Sequence, residues 1–321
     1  MSNFNLILIS AGFEHGGNVL QRHFDGHSKL FVYPFESQLG NHDFKDFLSS
    51  VERVQYRYPE FPENRTLEES YEMIIDEELK TFLRKRTGSK FREVNLEMNE
   101  QDRIEKFKTF LQNHDLTRKS IVQAFFVSTL DAWTNYYAEK KLLSHYLGYS
   151  PGIILDAPRI IQDFPNCRII HLVRNPFSAY SDTKRRPFPH SINKYAITWN
   201  IYHSVAQMYA NLYPSNIKVV RYEDLIANKA NFMGELSRFV NLEFEESMIY
   251  PSWNGTQISG DISPWGTVLR SDIEYNSEAA QRLTPSEQQF IYKATKPLLN
   301  HYEYEKIDYL SEICDVDQVI F

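Results

Sequence analysis

The chain has 321 residues, 42% of them hydrophobic, and a formal net charge of −7 at pH 7. This negative charge argues against nucleic-acid binding through overall charge attraction. The two cysteines, Cys167 and Cys314, are far apart and predict neither a disulfide framework nor a metal site. Residues 6–9 are too few for a signal-peptide core, and no run reaches the roughly 18 apolar residues of a membrane span, so we expect a cytoplasmic protein.

Short β-type runs alternate with helical patterns along the chain. This order favours parallel strands joined by crossover helices, and therefore an α/β fold. The predicted strands are residues 5–10, 30–33, 152–156, 168–173 and 217–222. The first and fourth are almost continuously apolar, as is typical of strands that are buried on both faces.

Helical periodicity dominates the remaining predicted structure. A charged helical stretch from about residue 44 to 148 separates the second and third predicted strands, and we interpret it as an insertion. Such an insertion forms a lid or acceptor-binding wall, or a purely structural layer, and the sequence leaves both open. The predicted helices are residues 67–83, 101–114, 120–146, 194–212, 231–240 and 284–299. The last begins with Thr284-Pro-Ser-Glu287, a pattern typical of a capped helix start.

The strongest single motif is RIIHLVRNP at residues 168–176. A buried strand ends at Arg174, and Pro176 suits the first turn of a following helix. Ligands of open α/β folds bind at this edge of the sheet, where a helix N-terminus and an arginine fork together favour a phosphate. The alternative is that Arg174 pairs with a carboxylate at the sheet edge. His171, inside the strand, is expected to be a buried core histidine.

Together with other segments in the same order, this motif resembles the sulfotransferases that use 3′-phosphoadenosine 5′-phosphosulfate. The other segments are FDGH at 24–27, LFVYPFE at 30–36, VVRYEDL at 219–225 and LTPSEQQFI at 283–291. The resemblance covers roughly residues 5–36 and 150–305. It implies a P-loop-like three-layer sandwich with a central parallel sheet, and we expect residues 1–321 to form one domain that includes the helical insertion.

The resemblance implies that Arg174 binds the 3′-phosphate of the donor, and of its product adenosine 3′,5′-bisphosphate. In the family, a serine about two helical turns later also holds this phosphate. Here Asp182 stands eight residues after Arg174 and its charge makes it a poor phosphate partner, so the neighbouring Ser181 is the candidate. Farther along, Trp265 is a candidate to stack on adenine and Arg270 to contact the 3′-phosphate. Residues 184–186, which are all basic, are expected to form a solvated helix end.

The loop after the first strand reads SAGFEHGGNVL at residues 10–20. Glycine-rich turns that lead into a helix can direct their amides at an anion. The family places a basic residue before Ser-Gly-Thr-Thr here. Aligning Gly17 with the family glycine gives His15 the basic position and makes Gly16, Gly17 and Asn18 the ligands of the 5′-phosphosulfate. A register shifted by one residue puts Glu14 at that position, which is electrostatically less favourable.

Two residues are therefore candidates for catalysis. His15 would stabilise the bridging oxygen when protonated, since an unperturbed histidine has a pKa near 6.5. Glu36 follows the second strand, where some glycan- and tyrosine-modifying members of the family carry a glutamate base; the alternative is an ordinary loop carboxylate. No spacing typical of metal ligands occurs, so we expect no metal.

The favoured function is sulfuryl transfer from 3′-phosphoadenosine 5′-phosphosulfate to a hydroxyl group of a carbohydrate or a lipid. The altered loop keeps a second interpretation open, a catalytically inactive binding protein on the same fold. A nucleotide-dependent kinase is disfavoured because the Gly-Lys-Ser/Thr that holds phosphates and magnesium is absent. The sequence specifies neither the acceptor nor the oligomeric state.

Overall fold

The computed structural model describes residues 4–43, 45–187, 189–260 and 272–304. Within them, five strands form a parallel sheet with the order β2-β3-β1-β4-β5. The strands are β1 Asn5–Ala11, β2 Leu30–Val32, β3 His145–Tyr149, β4 Arg168–Val173 and β5 Ile217–Arg221. A small antiparallel pair, β6 Ser252–Trp253 and β7 Thr256–Gln257, lies apart from the sheet.

Helices cover both faces of this sheet. In β1, Leu6 and Leu8 join one apolar cluster while Ile7 and Ile9 join another, because successive side chains of a strand point to opposite faces. The strand is thus buried on both sides, as its apolar run predicts. The helices are α1 Gly17–Phe24, α2 Leu67–Met73, α3 Glu77–Arg84, α4 Glu100–Gln112, α5 Arg118–Ala132, α6 Ala157–Asp163, α7 Pro176–Lys184, α8 Ile192–Leu212, α9 Tyr222–Ala227, α10 Lys229–Phe239, α11 Ile273–Gln281 and α12 Pro285–Leu299.

Helix ends follow the local chemistry of the sequence. Thr284 and Glu287 form a reciprocal capping box at the start of α12, which confirms the prediction for this helix. Pro176 stands in the first turn of α7, where a proline costs no hydrogen bond. Among the described helices, none combines the length and the apolar content that a bilayer crossing requires.

The third predicted strand is wrong. Residues 152–156 are not extended: Gly152 has a φ of +69°, and a 3₁₀ helix follows at Ile153–Asp156. The strand that lies between β1 and β2 is His145–Tyr149, whose first two residues belong to the predicted helix 120–146 and most of which lies in the predicted insertion. Helix α5 ends earlier, at Ala132. Residues 152–156 are buried, but Gly152 in the left-handed region turns the chain before it can extend.

A buried ionic cluster attaches the helices between β2 and β3 to the sheet. Arg103 of α4 donates to Asp76 Oδ2 (2.7 Å) and to Thr129 Oγ1 (3.0 Å). The Tyr33 hydroxyl, directly after β2, donates to Asp76 Oδ1 (2.7 Å). Asp76 has a φ of +39° and separates α2 from α3, which the periodicity predicted as one helix. The break therefore places a carboxylate where it neutralises Arg103.

A second anchor fixes the segment that follows β2 against the residues after β3. The Arg57 guanidinium donates to Asp156 through Nε (2.7 Å) and Nη2 (2.8 Å), and Nη1 donates to Asp46 (2.7 Å). Glu52 accepts a short hydrogen bond from the Tyr202 hydroxyl of α8. These contacts hold residues 46–57 at the carboxyl edge of the sheet, where they form one wall of a cleft.

Candidate active site

A cleft of about 990 Å³ opens at the carboxyl ends of the parallel strands. Its floor is formed by the loop after β1 and the start of α1, and its walls come from the residues after β2, the segment between β2 and β3, and α7. Of the residues predicted for the site, the ones that line this cleft are Gly16, Gly17, Asn18, Glu36, Arg174 and Asp182. His15 and Ser181 do not line it, and both are buried. Trp265 and Arg270 lie outside the described residues.

The glycines of the floor are required by the rings that cover them. Gly16 is the N-cap of α1 with a φ of +87°, and a Cβ there would lie 2.5 Å from the ring of Tyr222. A Cβ on Gly17 would lie 2.3 Å from the ring of Tyr149. The first amides of α1 have no carbonyl one turn earlier to accept from them, so they remain available to an anion. The structure thus brings Gly16, Gly17 and Asn18 together at a helix N-terminus that opens into the cleft.

His15 points away from this helix N-terminus and is only 1% exposed. Its Nδ1 lies 2.8 Å from the Phe13 carbonyl oxygen, and its Nε2 lies 3.2 Å from Nε2 of His203. His203 Nδ1 in turn lies 2.8 Å from Nε2 of His171, the buried core histidine of β4. Burial lowers the pKa of His15 to about 3, because the charged imidazolium would lose its hydration. The structure therefore gives no support to the prediction that His15 offers a positive charge to the donor, because burial of the ring favours its neutral form.

Glu14, and not His15, lines the cleft at this point. It is the residue that takes the basic position in the shifted, electrostatically less favourable register. Glu14 has a φ of +61° and forms an ion pair with Arg186, which follows α7. The Arg186 guanidinium also lies over the Phe13 ring, 5.9 Å from its centroid. Arg185 and Arg186 both line the cleft, although their place at a helix end predicted solvated side chains. The cations beside Glu14 in the cleft are therefore the arginines that follow α7 and not a residue of the loop after β1.

Arg174, which lies beside the backbone of Glu14, is held by three neighbours. Its Nη1 lies 2.9 Å from Asp182 Oδ2 and donates to the Glu14 carbonyl (2.6 Å), and its Nε donates to Asn276 Oδ1 (2.8 Å). The guanidinium lies over the ring of Tyr222, 5.0 Å from its centroid. This is the alternative that the motif left open, an arginine paired with a carboxylate at the sheet edge. Asp182, not Ser181, is the α7 residue that lines the cleft beside it.

Glu36 lines the cleft on the side of β2. Its backbone amide donates to Glu78 Oε2 (3.0 Å), and Lys90 Nζ lies 2.6 Å from the other carboxylate oxygen of Glu78. Burial raises the pKa of Glu36 to about 7, and the charge of Glu78 adds to this effect, while Lys90 and the Tyr56 hydroxyl oppose it. A carboxylate with a pKa near 7 is suited to accept a proton at neutral pH. The sequence alone gave no signal for Glu78 and Lys90, which come from the segment between β2 and β3.

No metal is suggested by the described part of the chain. Within residues 4–43, 45–187, 189–260 and 272–304, no three His, Cys, Asp or Glu side chains are grouped closely enough to hold a metal ion.

Replacing Gly17 with alanine tests the packing of this floor. We expect Gly17→Ala to lower the free energy of unfolding by about 1–3 kcal/mol, because the new methyl group overlaps the Tyr149 ring. Gly234→Ala, in α10, is the matched control: nothing lies within 4 Å of its Cβ, and the better helix propensity should add up to about 1 kcal/mol. Urea unfolding of both variants measures the difference, and equal stabilities would contradict the described packing.

Comparison with known proteins identifies the family. The profile described as "Sulfotransferase family" matches residues 47–246, which is more than half of the chain. The chain therefore belongs to the sulfotransferase family. The match includes much of the helical segment between β2 and β3, which the resemblance seen in the sequence did not cover. No curated protein sequence matches the chain.

The chain is also similar to solved structures of sulfotransferases. The sulfotransferase domain from the Synechococcus PCC 7002 olefin synthase is 14% identical with a TM-score of 0.52, over 92% of this chain and 94% of that one. The sulfotransferase domain from the curacin biosynthetic pathway is 18% identical with a TM-score of 0.49, over 92% and 98%. The sulfotransferase from Alicyclobacillus acidocaldarius is 12% identical with a TM-score of 0.41, over 90% and 100%. The first of these, with the five-stranded parallel sheet, confirms the predicted sulfotransferase-type α/β fold.

Proposed function

We propose that this chain transfers a sulfuryl group from a nucleotide phosphosulfate to a hydroxyl group of a carbohydrate or lipid acceptor. The donor that the sequence resemblance implies is 3′-phosphoadenosine 5′-phosphosulfate. The observation that carries the proposal is the pairing, in one cleft, of a carboxylate with a pKa of about 7 and a helix N-terminus with free amides. The first suits proton removal from a hydroxyl, and the second suits an anionic donor.

Each step of this reaction has a group in the cleft that suits it. Glu36 accepts the proton of the acceptor hydroxyl as its oxygen forms a bond to sulfur. The bond between sulfur and the bridging phosphate oxygen breaks, and negative charge grows on that oxygen. The amides of Gly17 and Asn18, at the start of α1, stabilise this charge because they are fixed before the reaction begins. Arg186 supplies the positive charge that the buried His15 lacks, once it exchanges Glu14 for the donor.

The two ends of the implied donor differ in how well they suit the cleft. The phosphosulfate suits the start of α1, because the first residues of this helix line the cleft and their amides have no carbonyl partner one turn earlier. The 3′-phosphate does not fit the surroundings of Arg174 as they stand, because Asp182 already neutralises that guanidinium at 2.9 Å. The proposed chemistry therefore depends on the phosphosulfate end of the nucleotide alone.

A second candidate function is a non-catalytic binding protein on the same fold. It is favoured by one observation: carboxylates, Glu14 and Asp182, face the cleft beside both arginines that a donor would need. Such internal pairs weaken anion binding, because a ligand has to displace a carboxylate before it can use the cation.

A transfer assay separates the two candidates. The full chain is incubated with sulfur-labelled donor, either 3′-phosphoadenosine 5′-phosphosulfate or adenosine 5′-phosphosulfate, and with a panel of oligosaccharides and hydroxylated lipids. We expect label to appear in at least one acceptor, at a rate that depends on enzyme concentration. Nucleotide binding without transfer to any acceptor and without donor hydrolysis would instead support the binding protein.

A further inference from the structure

The positive charge of Arg174 is neutralised by a carboxylate of the protein itself. The pair that it forms with Asp182 has side chains only 5% and 13% exposed. A second carboxylate, Glu223, is connected to Arg174 through Asn276: the Asn276 amide donates to Glu223 Oε1 (3.0 Å) and its carbonyl oxygen accepts from Arg174 Nε (2.8 Å). Arg282 lies farther away, with Nη1 4.0 Å from Asp182 Oδ1. The arginine at this end of the cleft is thus already surrounded by acceptors.

A phosphate ester at Arg174 would add a charge of about −2 beside the buried carboxylate of Asp182. Like charges repel strongly where water is scarce, so the Asp182 carboxylate would have to move away from such a ligand. A ribose hydroxyl meets no such barrier, because it can donate to a carboxylate and accept from a guanidinium at the same time. Asp182 lines the cleft, and its Oδ1 is a buried acceptor with no hydrogen-bond partner among the described residues, so the carboxylate has capacity for one more donor.

We propose that this end of the cleft selects a nucleotide with a free ribose 3′-hydroxyl over one with a 3′-phosphate, and that Asp182 makes the selection. The same physical contrast separates two classes of dinucleotide sites, in which an acidic residue binds a ribose hydroxyl and an arginine accommodates a phosphate. This inference deepens the proposed function. It rests on that function in one respect, namely that the cleft binds a nucleotide. It names the donor class as a nucleoside 5′-phosphosulfate without further phosphate.

The reaction with such a donor is balanced in atoms and charge. The bond between sulfur and the bridging oxygen breaks, a bond between sulfur and the acceptor oxygen forms, and the acceptor proton passes to Glu36. The leaving group is a nucleoside 5′-monophosphate, and no oxidant or metal is required. Asp182 takes part in none of these bond changes, so it is a specificity-determining residue and not a catalytic one.

Calorimetric titration tests the selection directly. The full chain and the variants Asp182→Ser and Asp182→Asn are titrated with adenosine 5′-monophosphate and with adenosine 3′,5′-bisphosphate. We expect the native chain to bind the monophosphate about tenfold more tightly or better, and both variants to reverse much of this preference by gaining affinity for the bisphosphate. Asp182→Asn keeps the size of the side chain, and thermal unfolding of each variant reports whether it is folded.

The outcomes separate this inference from the proposed function. A native chain that binds the bisphosphate more tightly, or an affinity ratio that neither folded variant changes, would overturn the role of Asp182, and sulfuryl transfer could still be observed. The expected ratio without any sulfuryl transfer would support the selection and count against the proposed chemistry. Failure of the native chain to bind either nucleotide would overturn both.

Discussion

Glu36→Gln is expected to lower kcat by about 10²- to 10⁴-fold, the usual contribution of a general base. Glutamine keeps the size of the side chain but cannot accept a proton. In the native chain the base is active only when ionised, so kcat/KM should rise with pH through an apparent pKa of about 7. This rise should disappear in the variant. The measurement is a pH profile of sulfuryl transfer with the best acceptor from the panel.

Glu77→Gln is the matched control, since Glu77 lines the same cleft and lies next to Glu78 in the sequence. Glu77→Gln should keep the rise of kcat/KM near pH 7. Lys90→Ala should move the rise to higher pH, because Lys90 lowers the pKa of Glu36 against the larger effect of burial. If Glu36→Gln kept both its rate and its pH dependence, another group would have to be the base.

The same pKa also has a consequence for stability that needs no acceptor. The pKa of Glu36 rises from 4.5 to about 7 on folding, so the folded chain holds this proton more tightly than the unfolded chain. Between these values the folded state keeps a proton that the unfolded state releases, and the native chain should lose stability relative to Glu36→Gln as pH rises. Below pH 4.5 and above about pH 7, the difference between the two should no longer change with pH.

Arg103→Met is expected to lower the free energy of unfolding by about 3–5 kcal/mol. The guanidinium is buried and bonded to Asp76 and Thr129, so its removal leaves the Asp76 carboxylate without its main cation in a place that water does not reach. Burial already raises the pKa of Asp76, which means that its charged form depends on Arg103. Urea unfolding followed by fluorescence measures the loss.

Two further variants show whether the ion pair is the cause. Lys106→Ala changes an exposed cation of the same helix, paired with Asp102 at 3.7 Å, and should cost no more than about 0.5 kcal/mol. Adding Asp76→Asn to Arg103→Met should recover part of the loss, because asparagine carries no charge and tolerates the positive φ at this position. Equal losses of unfolding free energy from Arg103→Met and Lys106→Ala would show that the buried ion pair is not the cause.

The sequence predicted most of the sheet because buried parallel strands are short apolar runs. Strands β1, β2, β4 and β5 appear within two residues of their predicted ends. The failure at β3 has a physical cause: His145–Tyr149 has no distinctive pattern, and its extended conformation depends on pairing with β1 and β2 on either side. Partners that are more than 100 residues away in the sequence leave no local signal.

The site was harder to predict because it depends on single-residue geometry and on distant partners. A shift of one residue separates the two registers, and Glu14, with a φ of +61°, lines the cleft while His15 does not. The environment of Glu36 depends on Glu78, which is 42 residues farther along the chain. The motif placed Arg174 at the carboxyl end of a strand, and this residue does line the cleft. The motif did not show whether Arg174 binds a phosphate or pairs with a carboxylate, and in the structure it pairs with Asp182.

The row of histidines beneath the cleft has a fixed arrangement of hydrogens. A neutral imidazole has one N–H donor and one acceptor nitrogen. Because the Phe13 carbonyl can only accept, His15 carries its hydrogen on Nδ1, His203 must donate through Nε2, and His171 must also donate through Nε2. His171 Nδ1 is then a bare acceptor, in agreement with the lack of any donor to it among the described residues. A single peptide carbonyl thus sets the tautomers of three rings, from the loop under the cleft to the centre of the sheet.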